Sequence, residues 1–189
     1  MEIVRSIMKS IVVTSLSWFL ALVVLLITVG TTVEAQPASD TGVSVETTYL
    51  KNIRQVTSGF VKAGEGYFSP DATQIIYQAI TKDYPFYQIY TQPLAGGRPR
   101  MLSTGRGRTT CSYFSLDGKR IMYSSSHTDP QMTETEQAEI RQQAEDRKNG
   151  VRRRYSWPFD PHTDMYVADL DGNILKRLTT ADGYDAEGA

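Results

Sequence analysis

One block of sequence is written twice in this chain, and that constrains the fold more than any single motif. Gly66–Tyr77 (GYFSPDATQIIY) corresponds without a gap to Ser112–Tyr123 (SYFSLDGKRIMY), at a separation of 46 residues. Further on, Gln88–Gly97 corresponds to Asp164–Asn173 and Arg100–Thr104 to Lys176–Thr180, both at a separation of 76. The second copy therefore carries about thirty additional residues between its two halves. Self-similarity at this period marks a chain that repeats one supersecondary unit, each unit burying its apolar face on the next.

Each copy reads as four short strands. Gly66–Phe68 is the first. Ser69–Ala72 then supplies a type I turn, with Pro70 presetting φ at its second position and Ser69 and Asp71 suited to the flanks. The second strand, Gln74–Ala79, is rich in β-branched and aromatic residues, and the third lies around Tyr87–Gln92. Ala95-Gly96-Gly97, or Asp171-Gly172-Asn173, turns the chain into a fourth strand containing Met101-Leu102, or Arg177-Leu178. Four antiparallel strands per repeat of ~40–50 residues predict a β-propeller blade. Glu187-Gly188 aligns with Glu65-Gly66, so a third copy is beginning there. The expectation is an all-β fold over residues 50–189, an incomplete propeller of about two and a half blades. Unclosed blade edges predict self-association.

The additional residues, 127–162, read as a helical insertion in the second blade. Thr133-Glu134-Thr135-Glu136 matches a capping box with Thr133 as N-cap, Gln137–Lys148 is rich in helix formers, and Asn149-Gly150 is a stop. Its apolar residues, Ala138, Ile140 and Ala144, are few, which predicts a solvated helix over one end of the blade. Tyr155, Trp157 and Phe159 would anchor the return to the sheet.

Residues 1–35 stand outside the repeat. Arg5 and Lys9 precede an apolar run from Ile11 to Val29, and Val33 and Ala35 sit where a signal peptidase needs small residues, giving cleavage before Gln36. The run is also about as long as a membrane span, so an uncleaved anchor through 11–29 is the rival reading. Residues 36–49 form a polar linker. Either way the remainder is exported, to the periplasm or beyond. Cys111 is the sole cysteine, so no internal disulfide holds the fold, and a buried strand cysteine is expected. A formal net charge of −1 argues against nucleic acid as a partner.

The repeat residues resemble a known family. Tyr67-Phe68-Ser69-Pro70-Asp71-Ala72 and Tyr113-Phe114-Ser115-Leu116-Asp117-Gly118 resemble the x-x-S-P-D-G turn of TolB-like β-propeller repeats, and Asp164–Gly172 followed by Lys176-Arg177-Leu178-Thr179 looks like the second half of that repeat. Ala72 and Leu116 depart from the pattern's Gly and Pro. The resemblance implies a propeller of six or seven blades, hence that the chain is an amino-terminal fragment. It also implies a non-enzymatic binding or scaffold role among envelope proteins or peptide segments. The alternative is the propeller of an exported prolyl-oligopeptidase-type peptidase without its catalytic domain.

Little catalytic chemistry stands out. There is no G-x-S-x-G elbow, and neither histidine, His127 or His162, belongs to a recognisable triad. No catalytic residue, metal site or cofactor is assigned. His127, Asp129, Asp160, His162 and Asp164 flank the insertion and would converge on a cation if its ends met, against the plainer reading of a polar loop. Asp169–Asn173 lacks calcium-loop spacing and reads as a hairpin turn. Arg152–Arg154 would either dock an anionic partner or offset the insertion's acids. The sharper candidate is positional. Glu65, Cys111 and Glu187 are equivalent residues just before the first, channel-lining strand of successive blades, so Glu65 and Glu187 would present carboxylates at a channel mouth to a cation or a basic peptide.

Overall fold

A computed structural model describes residues 49–154 and 156–188. The signal or anchor expected over residues 1–35, most of the linker expected over 36–49, and Tyr155 lie outside the described residues. The chain divides into two compact units, Met1–Ile53 and Arg54–Ala189. Only residues 49–53 of the first are described. Among the described residues no helix is long and apolar enough to cross a membrane.

The second unit is mostly β. One antiparallel sheet runs in the order β1 (Lys62–Phe68), β2 (Gln74–Ile80), β3 (Gln88–Pro93), β4 (Arg100–Met101). Another runs β5 (Thr109–Phe114), β6 (Arg120–Ser125), β7 (His162–Asp169), β8 (Ile174–Arg177), with β9 (Gly183–Tyr184) added parallel to β7. Helix α1 (Met132–Asn149) separates β6 from β7, where the extra residues were expected.

The two sheets share their pairing residue for residue. Tyr67 pairs with Ile76 as Tyr113 does with Met122, Tyr77 with Tyr90 as Tyr123 with Tyr166, and Tyr90 with Met101 as Tyr166 with Arg177. Likeness extends to the turn after the first strand. Ser69 donates to Asp71 Oδ1 at 2.6 Å and its hydroxyl accepts Gln74 N–H, while Ser115 donates to Asp117 Oδ1 at 2.5 Å and accepts Arg120 N–H. Ala72 N–H and Gly118 N–H each return to the serine carbonyl at 2.8 Å, closing the predicted type I turn. The next residue of such a loop is left-handed, and Ala72 (φ 54°) and Gly118 (φ 67°) are both there. Alanine is therefore strained at the position its counterpart gives to glycine.

Strand boundaries differ from the sequence reading at both ends of each sheet. β1 begins at Lys62 rather than Gly66, because a bulge between Gly64 and Tyr67, repeated between Thr110 and Tyr113, lets pairing continue past an irregular residue. The fourth strands end one residue earlier than expected, at Met101 and Arg177. The capping box is overturned as well: Gln131 occupies the N-cap without a side-chain bond, and Thr133 and Glu136 lie inside the helix. Their side chains turn outward to Arg106 instead. The Asn149-Gly150 stop holds, with Gly150 left-handed (φ 65°) and its N–H and that of Val151 returning to Arg147 and Asp146.

The core lies between the sheets. Ile76, Ile89 and Leu102 from the first meet Ile121, Tyr123, Tyr166 and Ala168 from the second. The far face of the first sheet, Tyr77, Ala79 and Tyr90, is covered by Phe60, whose ring sits 5.8 Å from Tyr77 and 4.9 Å from Tyr90. Tyr67 and Tyr113, equivalent in the two copies, stack on one another at 4.0 Å.

Two outcomes follow for stability, read from denaturant midpoints. Ala72→Gly raises stability and Gly118→Ala lowers it by about 1–2 kcal/mol, the cost of a left-handed L-residue. A Cβ at Gly118 would meet only Pro70 at 3.8 Å, so that cost is conformational rather than steric. Ile89→Ala, a truncation in the core between the sheets, costs about 2–5 kcal/mol.

Candidate functional site

Glu65, Cys111 and Glu187 do converge, but not as strand-leading residues. Glu65 and Cys111 sit at the bulges inside β1 and β5, and all three share left-handed backbone, with φ 51°, 52° and 62°. Three equivalent residues with one uncommon conformation re-aim their side chains to a common place. The Cys111 thiol points at Glu65 Oε1 (3.8 Å), Thr110 Oγ1 reaches Glu65 Oε2 (3.5 Å), and the Glu187 backbone N–H lies against the thiol. Burial pushes the Cys111 thiol up, and the charges of Glu65 and Glu187 push the same way against hydrogen bonds from Thr110 and Glu187. The thiol is thus protonated at neutral pH and makes a poor nucleophile or metal ligand. Both carboxylate residues are exposed, Cys111 is buried beneath them, and the surface presents two anions to solvent.

The other candidates are resolved by their partners. The ends of the insertion meet, with His162 Nε2 at 3.7 Å from Asp129 Oδ1. Asp160 is paired with Arg108 (3.5 Å) and Asp164 with Arg177, while His127 Nδ1 bonds Ser125 Oγ at 2.9 Å. Among the described residues no group of three such side chains is placed to hold a metal ion. Asp169–Asn173 is a hairpin turn: Asp169 Oδ1 accepts the N–H groups of Asp171 and Asn173, both at 2.9 Å.

Sequence reasoning missed a second site. α1 leans on the first sheet's loops rather than on its own sheet. Tyr84 donates to Glu136 Oε1 at 2.6 Å, Arg106 pairs with Glu136 at 3.1 Å, and Gln143 reaches Pro85 O at 3.4 Å. Behind the helix, Arg153 bridges Glu139 and Asp146, so this arginine of the basic run offsets the insertion's acids. Between α1, the β2–β3 loop and residues 151–158 lies a groove of ≈ 850 Å³, within the range of ligand clefts. One wall is aromatic: the Trp157 ring lies 6.2 Å from that of Tyr87, with its Nε1–H donating to Tyr184 Oη at 2.6 Å. Arg108 stacks over Phe86 at 4.1 Å. The sequence held the groove's parts without uniting them: Arg152–Arg154 and Trp157 stood out in the return from the insertion, and the run Tyr84–Tyr87 has no aromatic counterpart at the same place in the second copy. The approach of the β4–β5 connection to the insertion requires Gly107 (φ 74°), where a Cβ would meet His127 N at 2.5 Å.

No protein-family model matches this sequence, and no curated protein matches it. Among solved structures, a protein from Agrobacterium tumefaciens provisionally assigned as TolB superposes with a TM-score of 0.47 at 15% identity. The match covers 69% of this chain and 38% of that one, so the chain spans little more than a third of the neighbour's length.

The Glu136 contacts carry a pH signature. Burial raises its carboxyl, but hydrogen bonds from Arg106, Tyr84 and the Gly107 N–H together hold it below the ordinary 4.5. A depressed folded value contributes stability above the unfolded value and loses it as pH falls through the folded one. Urea midpoints should therefore drop on acidification from pH ~4.5 downward, and Glu136→Gln should lower the neutral-pH midpoint while flattening that part of the profile.

Proposed function

We propose that this chain belongs to an exported, non-enzymatic β-propeller that binds protein segments of the cell envelope as a scaffold, using the carboxylates of Glu65 and Glu187. The repeated four-stranded unit, the x-x-S-P-D-G-like turns and the leader over residues 1–35 support the architecture and the address. The observation that carries the binding role is that Glu65 and Glu187 both approach the buried Cys111 thiol, Glu65 through its carboxylate and Glu187 through its backbone N–H. A thiol kept protonated has little nucleophilic use, whereas two exposed carboxylates held by unusual backbone can receive a cationic segment. A lysine-rich segment of a partner would place its ammonium groups there, with the polarised surface steering the encounter.

Fluorescence anisotropy with a labelled lysine-rich peptide tests this. The full chain should bind the peptide, more weakly as salt rises, and Glu65→Gln with Glu187→Gln should weaken binding about tenfold or more. An affinity unmoved by the double substitution, or none at all, would sink the reading. Export is checked separately by amino-terminal sequencing of the secreted protein, expected to begin at Gln36.

A further inference from the structure

The groove behind α1 has the opposite character to the Glu65–Glu187 surface. Six cationic side chains and two carboxylates line it, on a chain whose formal net charge is −1. Both carboxylates, Glu139 and Asp146, are already held by Arg153, and Arg108 is held by Asp160. Lys62, Lys82, Arg147 and Arg154 are exposed and have no ion-pair partner among the described residues. They project from four separate places, namely the start of β1, the β2–β3 loop, the last turn of α1 and the return from the insertion. Between them lies apolar surface: Val61 is 57% exposed, Val151 is 52% exposed, and Trp157 is braced against Tyr87 and Tyr184.

We propose that this groove binds an acidic, extended peptide segment of a partner protein. Carboxylates of the segment would spread over Lys82, Arg147 and Arg154, and an apolar side chain between them would lie on Trp157, Val61 and Val151. Cations dispersed along a cleft with apolar surface between them match a segment that alternates the two characters. A single phosphate or lipid headgroup would use one cation cluster and leave the apolar wall bare. The Trp157 ring is already held by Tyr87 and by its bond to Tyr184, which reduces the ordering entropy its use as an anchor would cost. This goes beyond the carboxylate surface described above, and the two sites select peptides of opposite charge.

The test uses the full chain and a labelled peptide in which glutamate alternates with leucine and proline, beside its glutamine twin. The glutamate peptide should bind and the glutamine twin should bind at least about tenfold more weakly. Lys82→Glu with Arg154→Glu should cost a similar factor, and Trp157→Ala should weaken both peptides. Lys176→Glu, which reverses an exposed charge on β8 outside the groove, should change nothing. Equal binding of the two peptides overturns the proposal, as does equal loss from Lys176→Glu. So does a preference for anionic phosphatidylglycerol vesicles, or for inorganic phosphate as competitor, that the groove substitutions abolish. Failure here with retained binding of the lysine-rich peptide would leave the carboxylate surface standing.

Discussion

The pairing of the two sheets depends on one contact, the apolar layer between them. Ile76, Ile89 and Leu102 are each fully buried against Ile121, Tyr123, Tyr166 and Ala168. Each such side chain contributes roughly 1.5–3 kcal/mol by leaving water. The same layer sets the relative position of β1 and β5. It is the reason that Tyr67 can stack on Tyr113, and that Glu65 and Cys111, far apart in sequence, touch. A repeat that packs copy on copy brings equivalent residues together automatically, so a functional group placed once per repeat becomes a cluster without further design.

The insertion is held by different forces. α1 buries only Met132, and its grip on the rest of the unit is polar: Glu136 with Tyr84 and Arg106, Gln143 with Pro85, and Arg153 with Glu139 and Asp146. Polar contacts of this kind position an element more than they stabilise it, since exposed ion pairs contribute little each. They fix the helix over the neighbouring sheet's loops and thereby create the groove, which neither sheet would form alone.

What could be read from the sequence follows the same division. The gapless match of Gly66–Tyr77 to Ser112–Tyr123 encodes the strand pairing, the Ser-Asp turns and the convergence of Glu65, Cys111 and Glu187, because a repeat carries its geometry with it. The bulges were not legible, since Glu65 and Cys111 are not residues that announce left-handed backbone, and the first strands were accordingly read too short. The capping box failed because Glu136, the residue that would have closed it, is drawn to Arg106 and Tyr84, a tertiary pull that a local motif cannot register. The groove was invisible for a related reason. Its walls come from stretches as distant as Val61 and Trp157, and only the docking of the helix unites them.

That docking has one more implication. A helix that buries a single large side chain lacks the packed apolar face from which most helical stability in proteins comes. The two sheets are joined by an apolar layer, whereas α1 is held mainly by hydrogen bonds and ion pairs, and elements with few buried apolar contacts are drawn from the low-stability end of a structure. The molecule thus has two tiers of cohesion, an oily one that ignores ions in the medium and a saline one that responds to them, and the cleft belongs to the second.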